Sequence, residues 1–385
     1  MPARAAAFAS VAFLATAFAL ADPVRGAVGS LVGGESSSWN DVFGARAKPT
    51  AGQRMIVVLS QPSLAARVAK AKRSPTPKAQ KRWVAEAEAS QRLLLARLRT
   101  RGIELSRERT FTRTLNGFSA LLDARAQAEL ERSEGVAGVY PVRTVYPASI
   151  SAQTLLRPEF RPGAGRRPDI SLSGFDGRGI RIALLDSGVD LDHPFLNGRV
   201  LPGIDLVARD RRAAAERKPD EPNQLESHGT RMAGILVGAG GPGDLRGVAP
   251  GARVLPIRVL SWERTADGTY RLLGRGDTLL AGLERAVDPD RDGDVEDAAD
   301  VALAALVEPY AAFGDSPGAR AVLGATRLGT LVVAPSGNDG RAGAGFGTVG
   351  APGGAASALT VGALDARQEA GVEHVVQGLE GKVRI

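Results

Sequence analysis

The chain has 385 residues, 44% of them hydrophobic and 24% charged, with a formal net charge of +7 and no cysteine. That length allows two or three domains around a sizeable core, and the missing cysteines exclude a disulfide framework, thiolate catalysis and any cysteine-held metal. The charge is uneven. Residues 22–150 carry 21 Lys and Arg against 11 Asp and Glu, and residues 151–385 carry 27 against 31. The basic residues are scattered among apolar positions without aromatic interleaving. Composition therefore excludes a nucleic-acid-binding stripe and points to attraction between a basic first part and an acidic second part.

Arg4 precedes an apolar run from Ala5 to Ala21 that ends Ala19-Leu20-Ala21. This pattern predicts a secretory signal peptide over residues 1–21, hence an exported protein with no membrane association once the signal is removed. The bland alternative is a membrane anchor, for which the run is marginally long. Residues 22–50 are rich in Gly, Ser and Ala and predict a linker. Arg54–Ser60 reads as a strand, residues 70–82 as a basic, Pro-containing loop, and the spacing of Val84, Ala87, Gln91, Leu94, Leu95 and Leu98 as an amphipathic helix over 83–100. A strand at 104–113, a turn at Asn116-Gly117, a strand at Phe118–Leu122, a helix at 124–133 and a strand at Val136–Val145 follow. The β-α-β-β-α-β order predicts a small ferredoxin-like α+β domain over 51–147.

Residues 148–178 read as an exposed connection. Beyond it, apolar runs at Ile180–Leu185, Val254–Val259, Val301–Leu306, Thr330–Ala334 and Ala358–Val361 alternate with helical stretches at 229–238, 276–287 and 317–328. The alternation predicts an α/β domain over 179–370, a parallel sheet with helices on both faces. Ligands of such sheets lie beyond the carboxyl ends of the strands. Asp186 and Asn338 both fall there. Asp186 follows a buried run and can orient an imidazole. His228, in Ser-His-Gly-Thr at a helix start, is the natural base among three histidines. Asn338, in Ser-Gly-Asn-Asp-Gly, can present an amide donor. Taken singly, each motif reads equally as a turn, a helix cap or a loop.

At these residues the chain resembles the subtilisin-like serine proteases. The matching segments are Asp186-Ser187-Gly188 with His193-Pro194, His228-Gly229-Thr230, Ser336-Gly337-Asn338, Gly247-Val248-Ala249-Pro250 and Thr360-Val361-Gly362. Residues 51–147 resemble the inhibitory propeptide of that family at Ile56–Leu59 and Asn116–Ala120. The resemblance implies a secreted serine endopeptidase acting on protein or peptide substrates through an acyl-enzyme, with no cofactor required. Asp186 would orient His228, His228 would act as base and Asn338 would hold the oxyanion. The protein's own propeptide would inhibit it from within the chain, and processing would fall near residues 145–155.

Two departures stand out. The nucleophile of the family lies in a Gly-Thr-Ser-Met-Ala-type segment, and none occurs here; Gly314-Asp315-Ser316-Pro317-Gly318 lacks the context of a nucleophile elbow. Val301–Val307 reads Val-Ala-Leu-Ala-Ala-Leu-Val where the family usually carries a substrate-lining Ser-Leu-Gly strand. The chain as given is therefore expected to be inactive. Its last residues, 371–385, resemble the opening of a protease-associated insert, as in a chain truncated before its serine. The alternative is a non-catalytic peptide-binding or inhibitory module. Finally, Asp288, Asp290, Asp292 and Asp294 alternate around Gly293 as in a Ca²⁺ loop, or simply as a solvated acidic turn.

Overall fold

The computed structural model describes residues 52–148, 175–196, 198–240, 246–309, 316–338 and 349–362, and the backbone of 371–376 and 379–384. All belong to one compact unit, Pro49–Ile385. The expected signal peptide, the linker and most of the connection lie outside the described residues.

The N-terminal block runs β1 (Gln53–Leu59), α1 (Leu64–Val68), α2 (Pro77–Thr100), β2 (Arg107–Phe111), β3 (Gly117–Leu122), α3 (Ala124–Arg132) and β4 (Val136–Pro141). Its strands form an antiparallel sheet in the order β2-β3-β1-β4. Helix α2 starts earlier than hydrophobic spacing predicts. Thr76 caps it through Ala79 N–H, and Pro77 takes the first helical position, where a missing N–H costs nothing. Strand β1 is buried on both faces. Met55, Val57 and Leu59 pack under α2 and α3 with Leu94, Leu98, Phe118 and Leu130. The alternate residues Ile56 and Val58 join Phe111 and Leu115 in a second core that belongs mainly to the rest of the chain. A two-residue side-chain period explains how one strand serves both.

The expected strand at 136–145 is two strands. β4 stays in the sheet, while β5 (Thr144–Pro147) leaves it to pair elsewhere.

The second part is built on a parallel sheet. Its elements are β6 (Arg181–Asp186), β7 (Ile204–Asp205), a short hairpin β8 (Arg217–Lys218) and β9 (Glu221–Leu225), α4 (His228–Val237), β10 (Arg253–Arg258), the antiparallel pair β11 (Leu260–Arg264) and β12 (Tyr270–Arg275), α5 (Gly276–Val287), β13 (Val301–Ala304), β14 (Leu306–Val307), α6 (Pro317–Arg327), β15 (Leu331–Pro335) and β16 (Leu359–Val361). Sheet order is β16-β15-β13-β6-β10-β7, every pair parallel. Ile182 and Leu184 face Ala233 and Val237 of α4; Ala183 and Leu185 face α5 and α6 on the other side. The fold is thus α/β with helices on both faces. Residues Gly371–Val376 and Leu379–Arg384 form a final antiparallel pair, β17 and β18. Among the described residues no helix is long and apolar enough to cross a membrane.

Candidate active site

The site forms where β6 ends and α4 begins. Asp186 is the last residue of β6 and 1% exposed; His228 is the first residue of α4 and 8% exposed. His228 Nδ1 lies 2.7 Å from Asp186 Oδ1 and 2.9 Å from Oδ2. Asp186 Oδ1 also accepts the Ser187 N–H at 2.6 Å. Such a carboxylate fixes the ring and the tautomer in which Nδ1 carries hydrogen. Burial works against a charged His228 ring, but the hydrogen bond and charge of Asp186 outweigh it, so the ring's pKa is raised above its ordinary value.

This close approach of strand end and helix start needs Gly229. A Cβ there would stand 2.1 Å from the Gly188 carbonyl oxygen and 3.3 Å from Asp186 Cγ. The buried Glu226 closes the turn. Its carboxylate accepts the His228 N–H at 2.8 Å and bonds Ser187 Oγ, which in turn accepts the Gly229 N–H at 3.1 Å. Two of the unpaired N–H groups at the start of α4 are thereby satisfied. Sequence reading overlooked Glu226; the signal was an acid two residues before a helix-starting histidine.

Asn338 lies beyond the same edge of the sheet, past the end of β15 and exposed. Gly337 before it has φ 101°, a turn open to glycine but strained for other residues. Strand β13 stands between β15 and β6. The structure therefore joins Asp186 directly to His228 and sets Asn338 at the same end of the sheet.

The chain following strand β5 reaches His228. β5 lies between β12 and β14, antiparallel to both, pairing Val145 with Gly274, Thr144 with Arg275, Pro147 with Leu306 and Tyr146 with Val307. The Ala148 N–H donates to the Ala305 carbonyl at 3.1 Å. The Ala148 carbonyl oxygen stands 3.4 Å from His228 Nε2. The Ala305-Leu306-Val307 stretch pairs with β5 and Ala148 through main-chain contacts.

The acidic loop differs from the sequence expectation. Asp292 and Asp294 do not join Asp288 and Asp290; both pair with Lys81 of the N-terminal block, at 2.8 and 3.1 Å. A long cation reaching from α2 claims them. The carboxylates that converge are Asp288, Asp290 and Asp297.

The N-terminal block is fastened by a further buried acid. Glu284, in the middle of α5, accepts the N–H groups of Thr112, Arg113 and Thr114 at 2.7, 2.9 and 2.6 Å and the Thr114 hydroxyl at 2.6 Å. Ser119 Oγ donates to Asp277 at 2.7 Å, and Arg113 pairs with Asp288 at 2.7 Å.

A family model described as the subtilase family, peptidase S8, matches residues 177–373. The chain is 30% identical over 266 residues to the minor extracellular protease Vpr of Bacillus subtilis (strain 168), covering 66% of this chain and 30% of that protein. It is 27% identical over 258 residues to subtilisin E of the same organism, covering 66% and 58% respectively. Among solved structures it is similar to fervidolysin from Fervidobacterium pennivorans, at 16% identity and a TM-score of 0.45, over 76% of this chain and 41% of that one. The chain thus spans 30% to 58% of the length of these two curated relatives.

Proposed function

Because this chain belongs to the subtilase family, we propose that it is the precursor part of an exported serine endopeptidase in which Asp186, His228 and Asn338 serve acyl transfer. Asp186 holds the Nδ1–H of His228. Nε2 takes the proton of a serine hydroxyl as that oxygen bonds to the substrate carbonyl carbon. The Asn338 amide donates to the oxyanion, an interaction worth about 3–4 kcal/mol of barrier. The C–N bond then breaks, with His228 protonating the amine, and water releases the acyl group by the reverse steps.

The 385 residues hold no Gly-Thr-Ser-Met-Ala-type segment, and on this reading the chain alone is expected to be inert. Residues 1–21 direct export, and residues 51–147 act as the leader that plugs the cleft. The observation that carries the reading is the paired strand ending at Ala148, whose carbonyl lies against His228. It supports Ala148–Ser149 as the bond cut on maturation, within the 145–155 window.

The test is expression of the coding region read on past codon 385, beside the 385-residue chain. The extended protein should label with a fluorophosphonate, lose labelling in His228→Ala and yield a mature N-terminus at Ser149. The 385-residue chain should not label. An extended protein that neither labels nor processes would favour the peptide-binding module; labelling of the 385-residue chain would overturn the missing nucleophile.

A further inference from the structure

We propose that an arginine-lined cavity between the N-terminal block and the parallel-sheet part, bounded by β2, β7 and α5, binds a tetrahedral oxyanion of the phosphate or sulfate class that ties the two together. The site does not depend on the protease chemistry. The cavity measures about 470 Å³, and arginines reach it from both sides. Arg109 on β2 and Arg113 just after it come from the N-terminal block. Arg209 and Arg211 follow β7, Arg285 lies on α5 and Arg291 in the loop after it. Arg113 is paired with Asp288; the others are short of partners. Arg109 donates through one terminal nitrogen to the Leu206 carbonyl at 2.7 Å, but its Nε is buried and unpartnered. Asp277 stands 3.9 Å from that Nε and is already held by Arg275 at 2.9 Å. Arg285 donates to the Pro289 carbonyl, and its Nε is likewise buried and unpartnered. Among the described residues no ion pair engages Arg209, Arg211, Arg285 or Arg291. Burying such donors without acceptors is costly.

The acids lining the same cavity do not neutralise this charge. Glu108 is held by Arg54 and Arg275, Asp205 by Arg258, and Glu284 by the β2–β3 turn. Asp210 and Asp290 are exposed, bond backbone N–H groups and are fewer than the unpaired guanidinium groups. Burial lowers the pKa of Arg109 and of Arg285. The charges of Arg275 and Arg209 add to this at Arg109, and those of Arg291, Arg113 and Arg211 at Arg285, against the opposing pull of Asp277 and Asp288. Arginine does not give up its proton, so a counterion is what relieves the repulsion. The backbone agrees. Arg209 and Arg291 are the non-glycine residues with left-handed backbone among those described, at φ 66° and 68°, a conformation that long side chains hold only when their surroundings impose it. The chemistry selects the ligand. Each guanidinium presents a fork of N–H donors suited to an oxyanion. A carboxylate holds both oxygens in one plane and serves one fork, whereas a tetrahedral anion offers oxygens to donors on opposite walls. No aromatic side chain lines the cavity to stack a base. The competing account is diffuse attraction of any anion to a basic surface.

The experiment is calorimetric titration of the full chain with sodium phosphate and sodium sulfate, at an ionic strength matched by sodium chloride, beside limited proteolysis of residues 52–148. Phosphate should bind saturably and slow cleavage of the block, where chloride does neither. Arg109→Gln and Arg285→Gln should each weaken binding by about tenfold or more. Arg211→Gln, at an exposed and unpaired position, should weaken it by about threefold. Arg99→Gln, exposed on α2 and not lining the cavity, should leave it unchanged. Tripolyphosphate separates the sources of the anion: binding about tenfold tighter than phosphate assigns the site to a phosphate chain, and equal binding assigns it to the free ion. No uptake up to about 10 mM phosphate would overturn the proposal. So would chloride acting as well as phosphate, which establishes diffuse attraction instead, or unchanged uptake in both Arg109→Gln and Arg211→Gln with wild-type circular dichroism.

Discussion

His228 is held between opposing forces, and their balance can be measured. Burial favours the neutral ring, while Asp186 favours the charged one and prevails. The chain has only three histidines, so its ring resonances can be followed individually by NMR. Asp186→Asn should move the His228 titration below its wild-type position, because burial is then unopposed. The sign for stability follows. A group whose folded pKa lies above its unfolded value stabilises fully below the unfolded pKa, and that gain is lost as pH rises through the folded pKa. Wild-type stability should therefore carry a decline above about pH 6.5, the ordinary imidazole value, that is absent in Asp186→Asn. Identical profiles for the two proteins would contradict the coupling. Gly229→Ala acts at the same point by sterics. Its Cβ meets the Gly188 carbonyl at 2.1 Å, so helix and strand must separate, at a cost of about 1–3 kcal/mol in denaturant unfolding, with the His228 shift reduced as well.

At the scale of elements, the most informative contact is Glu284 with the β2–β3 turn. Four donors converge on one carboxylate in the middle of a helix. Glu284→Gln replaces one acceptor oxygen with an NH₂ group that faces those donors. Breaking a buried charge-assisted set of this kind costs roughly 2–5 kcal/mol. The N-terminal block should then become protease-sensitive while the Asp186–His228 pair stays intact; unchanged protection would show that the contact contributes little. Such a contact was not legible in the sequence, because Glu284 reads as one polar position on an amphipathic helix. What was legible is physically local. The buried runs of β6, β10, β13 and β15, the positions of α4, α5 and α6, and the Asp186 and His228 motifs are all set by residues near in sequence. The start of α2 was hidden by a Pro-containing basic stretch that caps rather than breaks it. The split between β4 and β5 was hidden because valines lie on both sides of Pro141 and Arg143 in Val136–Val145; its second half departs to partners more than a hundred residues away. The aspartate grouping failed for the same reason: Lys81, from another element, decides which carboxylates remain to converge.

Over the whole molecule, the N-terminal block and the parallel-sheet part share a core. Ile56, Val58, Leu64, Phe111, Leu115 and Val145 belong to the same buried cluster as Leu185, Leu279, Leu283, Ala321 and Val322. Removing the block would expose the outer faces of α5 and α6, take from Glu284 its four donors and leave Asp277 only its pair with Arg275. The charge asymmetry assists association, but its exposed part is screened: the Lys81 pairs with Asp292 and Asp294 weaken with salt. The Arg113–Asp288 pair and the Glu284 hydrogen bonds are buried and much less affected. Two outcomes are therefore expected. Raising salt to about 1 M should change the susceptibility of the block to limited proteolysis only modestly, since about 3 Å of screening length reaches surface pairs alone. A chain beginning at Ser149 should unfold at lower denaturant than the full chain, bind a hydrophobic dye and tend to aggregate, because a large apolar face has lost its cover. Supplying residues 52–148 as a separate polypeptide should restore cooperative unfolding, with less restoration when that polypeptide carries Phe111→Ala. A monomeric, dye-silent chain from Ser149 with the full-length melting temperature would show that the shared core is dispensable.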